Sequence, residues 1–436
     1  MFRGEAAPQL WAGNIGDTQI FTGVGLVKPK MQALQPGQDP VPSSYTFEQW
    51  EATLQQYADS IDTPMPTSMV AIANLFLRNA QQLGLSAGQA VNRIARNRLY
   101  NAGLSGWTVA DGAQAAVTTL RVKRINGFTR ARRPGLSGAS QVRFDLVSAS
   151  NPLPITIFDN AGPAEVSRTV VGFTPDTSGD ETGPGTLTIS GGAVTVSDRA
   201  YVFSVDRTFL ARVGGGNKVD DIGSLDILKL ADIRNAVAHL RQQNVPAMPS
   251  GRFHCHFAPA SENQVFADPE WQRLHTSLPD YYMYKDFVVG DVLGCVFFRN
   301  SENPQADTVE GGLTATYSQE DPFAGELYNT GASTGLKIQR PIFVGQGAIL
   351  EYYSDLSMLL TEAGITGKVG EPKINNNGIE VFTDRIQLIL RAPQNRLQDL
   401  VSTSWRFIGD WPIRTDAAVG DAARYKRMAI IEHADS

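Results

Sequence analysis

The sequence predicts an α+β protein in which one long amphipathic helix organises a largely β-structured chain. Three observations support this fold class. Apolar residues recur at helical spacing between Thr67 and Leu104. The 41 glycines and 24 prolines among 436 residues predict many turns, and only 19% of the residues are charged. Short β-like runs separated by turn residues fill the stretch from Thr118 to Arg212.

The stretch Thr67–Leu104 is expected to form two amphipathic helices or one long kinked helix. Gly84 can end a helix in the left-handed conformation, and Ser86 with Gln89 three residues later forms a capping box that would begin the next helix. The apolar positions are Met69, Ile72, Ala73, Phe76, Ala80 and Leu83 before the joint, and Val91, Ile94, Ala95, Leu99 and Ala102 after it. We therefore expect a mechanical role for this stretch.

The chain before the helix is expected to form extended arms. Residues 1–16 have few periodic apolar positions and predict an arm that needs partners to become ordered. In residues 17–62, the Pro-rich run QPGQDPVP at Gln35–Pro42 lies between segments of comparable length, which favours a long β-hairpin. The apolar residues of Ser44–Asp62 also fit a helical stripe, so periodicity alone leaves that segment open.

After the helix the sequence predicts a β-rich unit and then a return to α/β texture. The glycines Gly214–Gly216 mark the boundary between them. Ser224 is expected to cap a helix that ends at Asn244-Val245-Pro246. A strand at Arg252–Ala258 and a short helix at Ser261–His275 are expected to follow.

Composition restricts the function classes. The net charge of −6 argues against a protein that binds nucleic acid over its whole surface. The two cysteines, Cys255 and Cys295, lie in apolar strand-like runs and predict buried reduced thiols. Residues 1–14 do not resemble a secretory signal, and no apolar run approaches the length of a membrane span, so we expect folding in a cytosol without a membrane partner.

The candidate catalytic and metal motifs are weak. His254-Cys255-His256 in a strand brings at most two ligands to one face, with His275 as a conceivable third, so packing is the favoured interpretation. The chain contains no G-x-x-x-x-G-K-[ST], G-x-S-x-G or H-E-x-x-H motif. We therefore predict no catalytic residues, no metal and no cofactor.

The densest charge feature is a basic run. It could face packaged nucleic acid, an acidic loop such as Asp176–Glu181 of a neighbouring copy, or solvent. Its members are Arg121, Lys123, Arg124, Arg130, Arg132 and Arg133.

The order of these parts resembles the major capsid (coat) protein of tailed double-stranded DNA bacteriophages, the Hong Kong 97-type capsid fold. The most specific resemblance, to the axial-domain core of podophage coat proteins, is the run LKLADIRNAVAHLRQQNVPAMPSGRFHCHFAPASENQVFADPEWQRL followed by VVGDVLGCVFFRNSENP. Further similar segments are EQWEATLQQYADSIDTPMP, LGLSAGQAVNRIARNRLYNAG, EYYSDLSMLLTEAGITGKVG and residues 384–427. The resemblance covers most of the chain outside residues 126–215.

This resemblance implies a domain plan and identifies Ser44–Asp62 as the returning strand of an extended loop. The plan is an N-terminal arm (1–16), an extended β-hairpin loop (17–62), a spine helix and the start of a peripheral domain (63–125), a β-rich insertion domain (126–215), an axial domain (216–375) and a return to the peripheral domain (376–436). The residues expected at intersubunit contacts are Lys28, Lys30, Phe47, Trp50, Arg93 and Arg96.

The function implied is a structural protein of the virion capsid, assembled in the host bacterial cytoplasm as hexamers and pentamers around packaged double-stranded DNA. The implied partners are further copies of the chain, a separate scaffolding protein, a portal protein and a possible decoration protein. The alternatives are a cellular encapsulating shell protein of the same fold, a β-rich glycan-binding or adhesion protein, and, most weakly, a metal-dependent enzyme using His254 and His256.

Overall fold

The structure is a computed structural model of the whole chain. It describes residues 2–11, 17–24, 30–31, 33–42, 47–65, 75–134, 141–159, 165–275, 291–304, 328–329, 336–354, 373–375, 378–383, 385–391, 396–397, 399–413, 415–417 and 424–435. The chain divides into two units, each built from three separate segments. Unit 1 comprises Met1–Phe21, Trp50–Arg98 and Ile349–Ile413, and unit 2 comprises Thr22–Gln49, Leu99–Ala348 and Arg414–Ser436.

The fold is α+β, as predicted. A 3-10 helix covers Phe2–Glu5, and the α-helices are α1 (Leu75–Gly103), α2 (Leu230–Gln242), α3 (Pro259–Ala267) and α4 (Pro269–His275). The strands up to residue 212 are β1 (Ala6–Trp11), β2 (Thr18–Val24), β3 (Phe47–Thr53), β4 (Gln55–Pro64), β5 (Trp107–Val109), β6 (Gln114–Val117), β7 (Thr119–Val122), β8 (Arg130–Pro134), β9 (Gln141–Leu146), β10 (Leu153–Phe158), β11 (Val166–Pro175), β12 (Gly185–Ser190), β13 (Val194–Val196), β14 (Tyr201–Ser204) and β15 (Leu210–Arg212).

The remaining strands belong to the second half of the chain. They are β16 (Phe253–Phe257), β17 (Asp291–Val292), β18 (Cys295–Arg299), β19 (Tyr328–Asn329), β20 (Leu336–Gln339), β21 (Ile342–Val344), β22 (Ile349–Ser354), β23 (Lys373–Asn375), β24 (Gly378–Thr383), β25 (Ile386–Arg391), β26 (Leu400–Asp410), β27 (Thr415–Ala417), β28 (Arg424–Lys426) and β29 (Met428–Ala434).

The long helix α1 is continuous, so the predicted joint at Gly84 is wrong. Gly84 and Gly88 both lie inside the helix. The buried side chains form one i, i+4 stripe that continues past both glycines, namely Leu83, Ala87, Val91, Ala95 and Leu99. Because burial of this stripe favours a helix throughout, it outweighs the cost of about 1 kcal/mol that a mid-helix glycine carries relative to alanine.

The predicted capping box is also absent from α1. The Ser86 hydroxyl, expected to cap a second helix, donates instead to Oδ2 of Asp59 at 3.4 Å. The predicted apolar positions Met69, Ile72 and Ala73 lie outside the described residues.

Replacing Gly84 and Gly88 with alanine is expected to stabilise the protein by about 0.5–1 kcal/mol for each substitution. A Cβ atom at either position meets no atom within 4 Å, so the substitution causes no steric clash. Its expected effect is the gain from the stronger helix preference of alanine over glycine. Thermal unfolding followed by circular dichroism measures the effect.

The control for this pair is Gly127→Ala. Gly127 has a φ of 78°, and a Cβ atom there would lie 2.8 Å from the carbonyl carbon of Ser105, so this variant should lose stability. A lower Tm for the Gly84 and Gly88 variants would contradict a continuous helix.

Unit 1 contains a sheet with the order β1-β22-β26-β25-β24-β23, and β4 also pairs with β26. β1 runs parallel to β22, with Ala6 opposite Ile349 and Trp11 opposite Ser354. The N-terminal segment is therefore ordered by its own chain, which corrects the prediction that it needs partners. The side chains of Phe2 and Trp11 are buried, and their removal from water stabilises this arrangement.

The described part of Ser44–Asp62 forms strands, as the resemblance implied, although its apolar residues also fit a helical stripe. It forms β3 and β4, and β4 pairs with β26 from Gln55 to Pro64. β3 lies in the sheet β2-β3-β9-β8 and pairs in parallel with β9 at Phe47 and Glu48. The described part of the hairpin arm is thus part of a larger sheet within its own chain.

The β-rich part of unit 2 has the sheet order β5-β14-β10-β11-β12-β7. Its strands begin at Trp107, before the predicted start at residue 126. Alternating residues of these strands fill one apolar core that includes Leu120, Ile155, Val170, Leu187 and Val202. As predicted, short strands fill the described part of Thr118–Arg212, although the run after Tyr201 is divided into β14 and β15.

The α/β part of unit 2 has the sheet order β17-β18-β16-β21-β29-β20-β19, and β15 pairs with β29. Helix α2 begins later than predicted, because Asp232 accepts the Lys229 backbone N–H at 3.1 Å and caps the helix in place of Ser224. Asn244, at φ 54°, ends it as predicted. The predicted helix Ser261–His275 is divided at Asp268 by Pro269, which starts α4.

Along the chain the structure thus contains an N-terminal strand, a hairpin arm, one long helix, a β-rich sheet and an α/β sheet with its helices. This is the order of parts predicted for the Hong Kong 97-type capsid fold. No described helix is long and apolar enough to cross a membrane.

Candidate functional site

At the tip of the hairpin arm the structure describes residues 30–31 and 33–42, which include a closed turn. Gln38 donates its backbone N–H to the Gln35 carbonyl at 3.1 Å. Gly37 supplies the left-handed φ of 90° that this turn requires. Lys30, one of the predicted contact residues, donates its Nζ to the carbonyl oxygen of Val41 and joins the two sides of the tip.

Three apolar side chains project from this tip into solvent. Met31 is 94% exposed, Val41 74% and Leu34 57%. Isolated exposed apolar residues are common on protein surfaces, but here three occur within one short stretch of the chain. We refer to Met31, Leu34 and Val41 together as the apolar tip.

Trp50, another predicted contact residue, packs within its own chain at the base of the arm. Its ring stacks on Phe21 with centroids 6.2 Å apart, and Phe21 in turn stacks on Tyr352 at 4.2 Å. Trp11 completes this aromatic cluster with an edge contact to Tyr352 at 6.1 Å. The cluster holds the base of the arm in unit 1.

The other predicted contact residues are distributed along the chain. Phe47 lies in β3, and Lys28 lies outside the described residues. Arg93 is exposed on α1, whereas the half-buried Arg96 donates from Nε and Nη2 to the Asn97 side chain at 3.0 and 2.8 Å. Their role between subunits stays a prediction.

The basic run does not form one uniform patch. Arg121 makes ion pairs with Asp111 at 3.0 Å and with Asp176 at 2.8 Å. Arg130 pairs with Glu181 at 3.4 Å. The acidic loop suggested as a partner from another copy therefore pairs with these arginines in the same chain.

Arg124 corrects the predicted patch most clearly. It is only 2% exposed, and its Nη2 donates to Oδ1 of Asn101 at 2.7 Å, so its charge lies in the interior. Lys123 is partly exposed, and Arg132 and Arg133 lie in β8. Whether any of these residues faces DNA stays a prediction.

The His-Cys-His run packs as a strand, in line with the favoured interpretation. Phe298 lies 4.9 Å from the His254 ring and 5.3 Å from the His256 ring, measured between centroids. Cys255 and Cys295 are buried free cysteines; burial raises the pKa of the Cys255 thiol well above its ordinary value and that of Cys295 to about 12. In the described part of the chain, no group of three or more His, Cys, Asp or Glu residues could hold a metal ion.

Sequence reasoning missed a buried charge cluster in which two arginines share one carboxylate. In unit 2, Glu432 is fully buried and binds Nε of Arg212 at 2.7 Å and Nη2 of Arg340 at 2.7 Å. Burial alone would raise the pKa of Glu432, but attraction to Arg212 and Arg340 holds it below its ordinary value.

Unit 1 contains a second arrangement of the same kind. Glu351, with a side chain 1% exposed, binds Arg3 at 2.8 Å and Arg385 at 2.6 Å. Arg3 thereby fixes the N-terminal segment to the sheet. Both clusters could have been suspected from the sequence, because Glu351 and Glu432 are each a lone glutamate inside an apolar run, AILEYY and MAIIEH. A buried carboxylate of this kind requires compensating partners.

No protein-family model matches the chain, and no curated protein matches it.

Solved structures similar to the chain over its whole length are phage capsids. The capsid of Ralstonia phage GP4 is 10% identical with a TM-score of 0.48, over 100% of this chain and 90% of that one. The cyanophage Pam1 capsid is 10% identical with a TM-score of 0.49, over 99% and 89%. The capsid of cyanophage P-SCSP1u is 8% identical with a TM-score of 0.48, over 100% and 88%.

Proposed function

We propose that this chain is the major capsid protein of a tailed double-stranded DNA bacteriophage and that it assembles as hexamers and pentamers into an icosahedral shell. The role proposed is structural rather than enzymatic. The observation that carries the proposal is the apolar tip, an ordered and largely exposed adhesive feature at the end of a hairpin arm.

An apolar turn that is closed by its own hydrogen bonds already has a defined shape when it meets a partner surface. Its three side chains are 94%, 57% and 74% exposed in the single chain. Covering apolar area contributes about 25 cal/mol per Å². Because the tip is already shaped before binding, little ordering entropy opposes its docking.

A subunit of a closed shell also has to keep its shape while several distinct surfaces bind neighbours. In each unit a buried glutamate joins two arginines that lie far apart in the chain. Such buried networks make the internal arrangement specific, since breaking them leaves charges without compensation. Rings of subunits use heterologous contacts, in which an arm of one copy meets a different surface on the next.

The partners follow from this role. We propose that further copies of the chain form the capsomers, with a separate scaffolding protein, a portal protein and a possible decoration protein as additional partners. The shell would form in the cytoplasm of the host bacterium and enclose DNA that it contacts without sequence specificity. The protein would then reside in the virion capsid.

Electron microscopy of the protein co-expressed with its scaffolding protein tests this function. We expect closed shells with hexameric and pentameric capsomers. A protein that stays monomeric under all assembly conditions would contradict the proposal. Shells that contain cargo protein in place of DNA would favour the cellular encapsulating alternative.

The apolar tip is tested by the triple variant Met31→Ser, Leu34→Ser and Val41→Ser. We expect it to fold with an unchanged Tm, because these side chains are exposed, and to lose most shell formation. Leu225→Ser is the matched control, since Leu225 is 86% exposed and lies outside the arm. Equal shell yields from the triple variant and the wild type would remove the apolar tip from the assembly mechanism.

A further inference from the structure

Strand β4 in unit 1 has one open side along most of its length. On its other side it pairs with β26 from Gln55 to Pro64 without a bulge. Met65 continues this ladder by donating its backbone N–H to the Asp399 carbonyl at 2.6 Å. Because hydrogen-bonded pairs alternate along an antiparallel ladder, the backbone groups of the odd-numbered residues point toward β26. The N–H and C=O groups of the even-numbered residues therefore point away from it.

Two hydrogen bonds on the outward side of β4 agree with this alternation. The N–H of Leu54 binds the carbonyl of Asp17 at 2.8 Å, and the N–H of Ser60 binds Oδ1 of Asp59 in its own strand at 2.8 Å. Within the described residues, no strand pairs with this side of β4 over residues 56–62. We refer to the outward backbone groups of residues 56, 58, 60 and 62 as the open edge.

The side chains along the open edge are accessible as well. Helix α1 contacts the face of β4 that carries the odd-numbered side chains, since Asn79 donates to the Thr63 hydroxyl and Ser86 donates to Asp59. The even-numbered residues of the strand are all exposed, namely Gln56, Ala58, Ser60 and Asp62. A second chain can therefore reach the open edge without displacing the helix.

Proteins usually protect a long edge strand, because its free N–H and C=O groups pair readily with another chain. In the same sheet, β1 carries Pro8, which supplies no donor, and β23 is only three residues long. β4 spans ten residues, and its proline, Pro64, is the last of them. The open edge is thus suited to pairing with an additional strand.

The charge of β4 indicates which kind of strand it binds. Asp59 and Asp62 are exposed, and the sequence of the strand, QQYADSIDTP, contains no lysine or arginine. Like charges on opposite strands disfavour the pairing of β4 with β4 of a second copy. A basic strand would be attracted to it instead.

Strand β8 has the complementary properties. Its sequence, RARRP, contains three arginines, and it is the last strand of the sheet β2-β3-β9-β8. Val147 donates its N–H to the Thr129 carbonyl at 2.9 Å, which fixes the alternation of the β8–β9 ladder. The backbone groups of Arg130 and Arg132 therefore point away from β9.

We infer that the open edge of β4 binds strand β8 of a second copy of this chain. The inference rests on the proposed function, since it names a contact between subunits. Backbone hydrogen bonds supply the binding, and attraction between the β8 arginines and the carboxylates of Asp59 and Asp62 selects the partner strand. Because β4 and β8 are different surfaces, the contact is heterologous, as a ring of subunits requires.

Replacing Ala58 with proline in the full chain tests the open edge. Ala58→Pro removes an outward N–H and no hydrogen bond to β26, so we expect an unchanged Tm and the loss of most shell formation. Ala58→Ser is the matched control, because it keeps the N–H, and it should assemble as the wild type does. Shells formed by Ala58→Pro at the wild-type yield would overturn the inference and leave the proposed function intact.

An exchange of charges between the two strands tests the partner. Asp62→Lys and Arg132→Glu should each reduce the yield of shells, because each change places like charges on the paired strands. The double variant restores opposite charges and should recover most of the yield. A double variant that assembles no better than the single variants would show that β8 is not the strand bound by the open edge.

Amide hydrogen exchange of the wild-type chain decides the question if the variants fold poorly. In free subunits the amides of Tyr57 and Ile61 should exchange slowly, because they pair with β26, and those of Gln56, Ala58 and Asp62 should exchange fast. Assembly should slow exchange in the second group. Outward amides that still exchange fast in assembled shells would rule out the pairing, whereas a wild-type chain that never associates would contradict both the inference and the proposed function.

Discussion

Replacing Glu432 with Gln is expected to lower the free energy of unfolding by about 3–5 kcal/mol, the range measured when one partner of a buried ion pair is removed. The side chains of Arg212 and Arg340 are only 2% and 3% exposed, so water does not replace the lost carboxylate. The amide of Gln keeps the shape of the side chain but supplies no negative charge. Equilibrium denaturation in urea measures the loss.

The matched control is Glu181→Gln on the surface of the same unit. Glu181 pairs with Arg130 at 3.4 Å, and the two side chains are 41% and 45% exposed. Exposed pairs of this kind contribute about 0–1 kcal/mol. If Glu432→Gln destabilised the protein no more than Glu181→Gln, the buried cluster would not stabilise the fold.

Acidification from pH 6.5 to about 4 is expected to cost about 3 kcal/mol of stability through His433. His433 is fully buried in β29, and burial lowers its pKa from 6.5 to about 4, against smaller raising effects of the Ala434 carbonyl and Asp435. Its Nδ1 donates to the Ala434 carbonyl at 2.9 Å, so Nε2 is unprotonated and accepts the Ser261 hydroxyl at 2.8 Å.

The direction of this pH dependence follows from proton binding. Between the two pKa values, the histidine of the unfolded chain is protonated while His433 in the folded chain is neutral. The stability is therefore complete above pH 6.5, falls as the pH decreases, and falls no further from this source below about pH 4. The pKa of Glu432 is lowered from its ordinary value of 4.5 by Arg212 and Arg340, so its contribution to stability is lost only as the pH falls from about 4.5 and overlaps the acidic end of the His433 window.

Stability measured at several pH values in His433→Gln tests this assignment. The variant should lose most of the slope between pH 6.5 and about 4. His239→Gln serves as the comparison variant. Burial also lowers the pKa of the half-buried His239, so this variant should lose a smaller part of the slope of stability against pH. An unchanged slope in His433→Gln would contradict the role of His433.

The hairpin arm shows that the spacing of apolar residues alone does not distinguish a helix from a strand. Phe47, Trp50, Leu54, Tyr57 and Ile61 fit a helical stripe, yet they belong to the strand-forming segment that includes β3 and β4. β4 pairs with β26, which lies over 300 residues later in the chain. The Pro-rich tip and the resemblance to a known fold, rather than periodicity, led to the correct prediction, because the partner strand cannot be identified from local spacing.

At the candidate site, too, some features could be predicted from the sequence and others required the structure. The Pro-rich turn and its apolar neighbours were evident in the sequence, but the exposure of Met31, Leu34 and Val41 was not. The basic run was evident as well, although burial of Arg124 and the intrachain pairs of Arg121 and Arg130 changed its meaning. Exposure and pairing depend on distant segments.

The sequence by itself determined the α+β class, the long amphipathic helix, the β-rich texture and the buried thiols, because periodicity, turn residues and apolar runs are local properties. Tertiary structure decided that the helix continues through Gly84, that the N-terminal segment pairs with β22, and that Glu351 and Glu432 each join two arginines. The physical reason is that burial and charge compensation come from residues far apart in the chain.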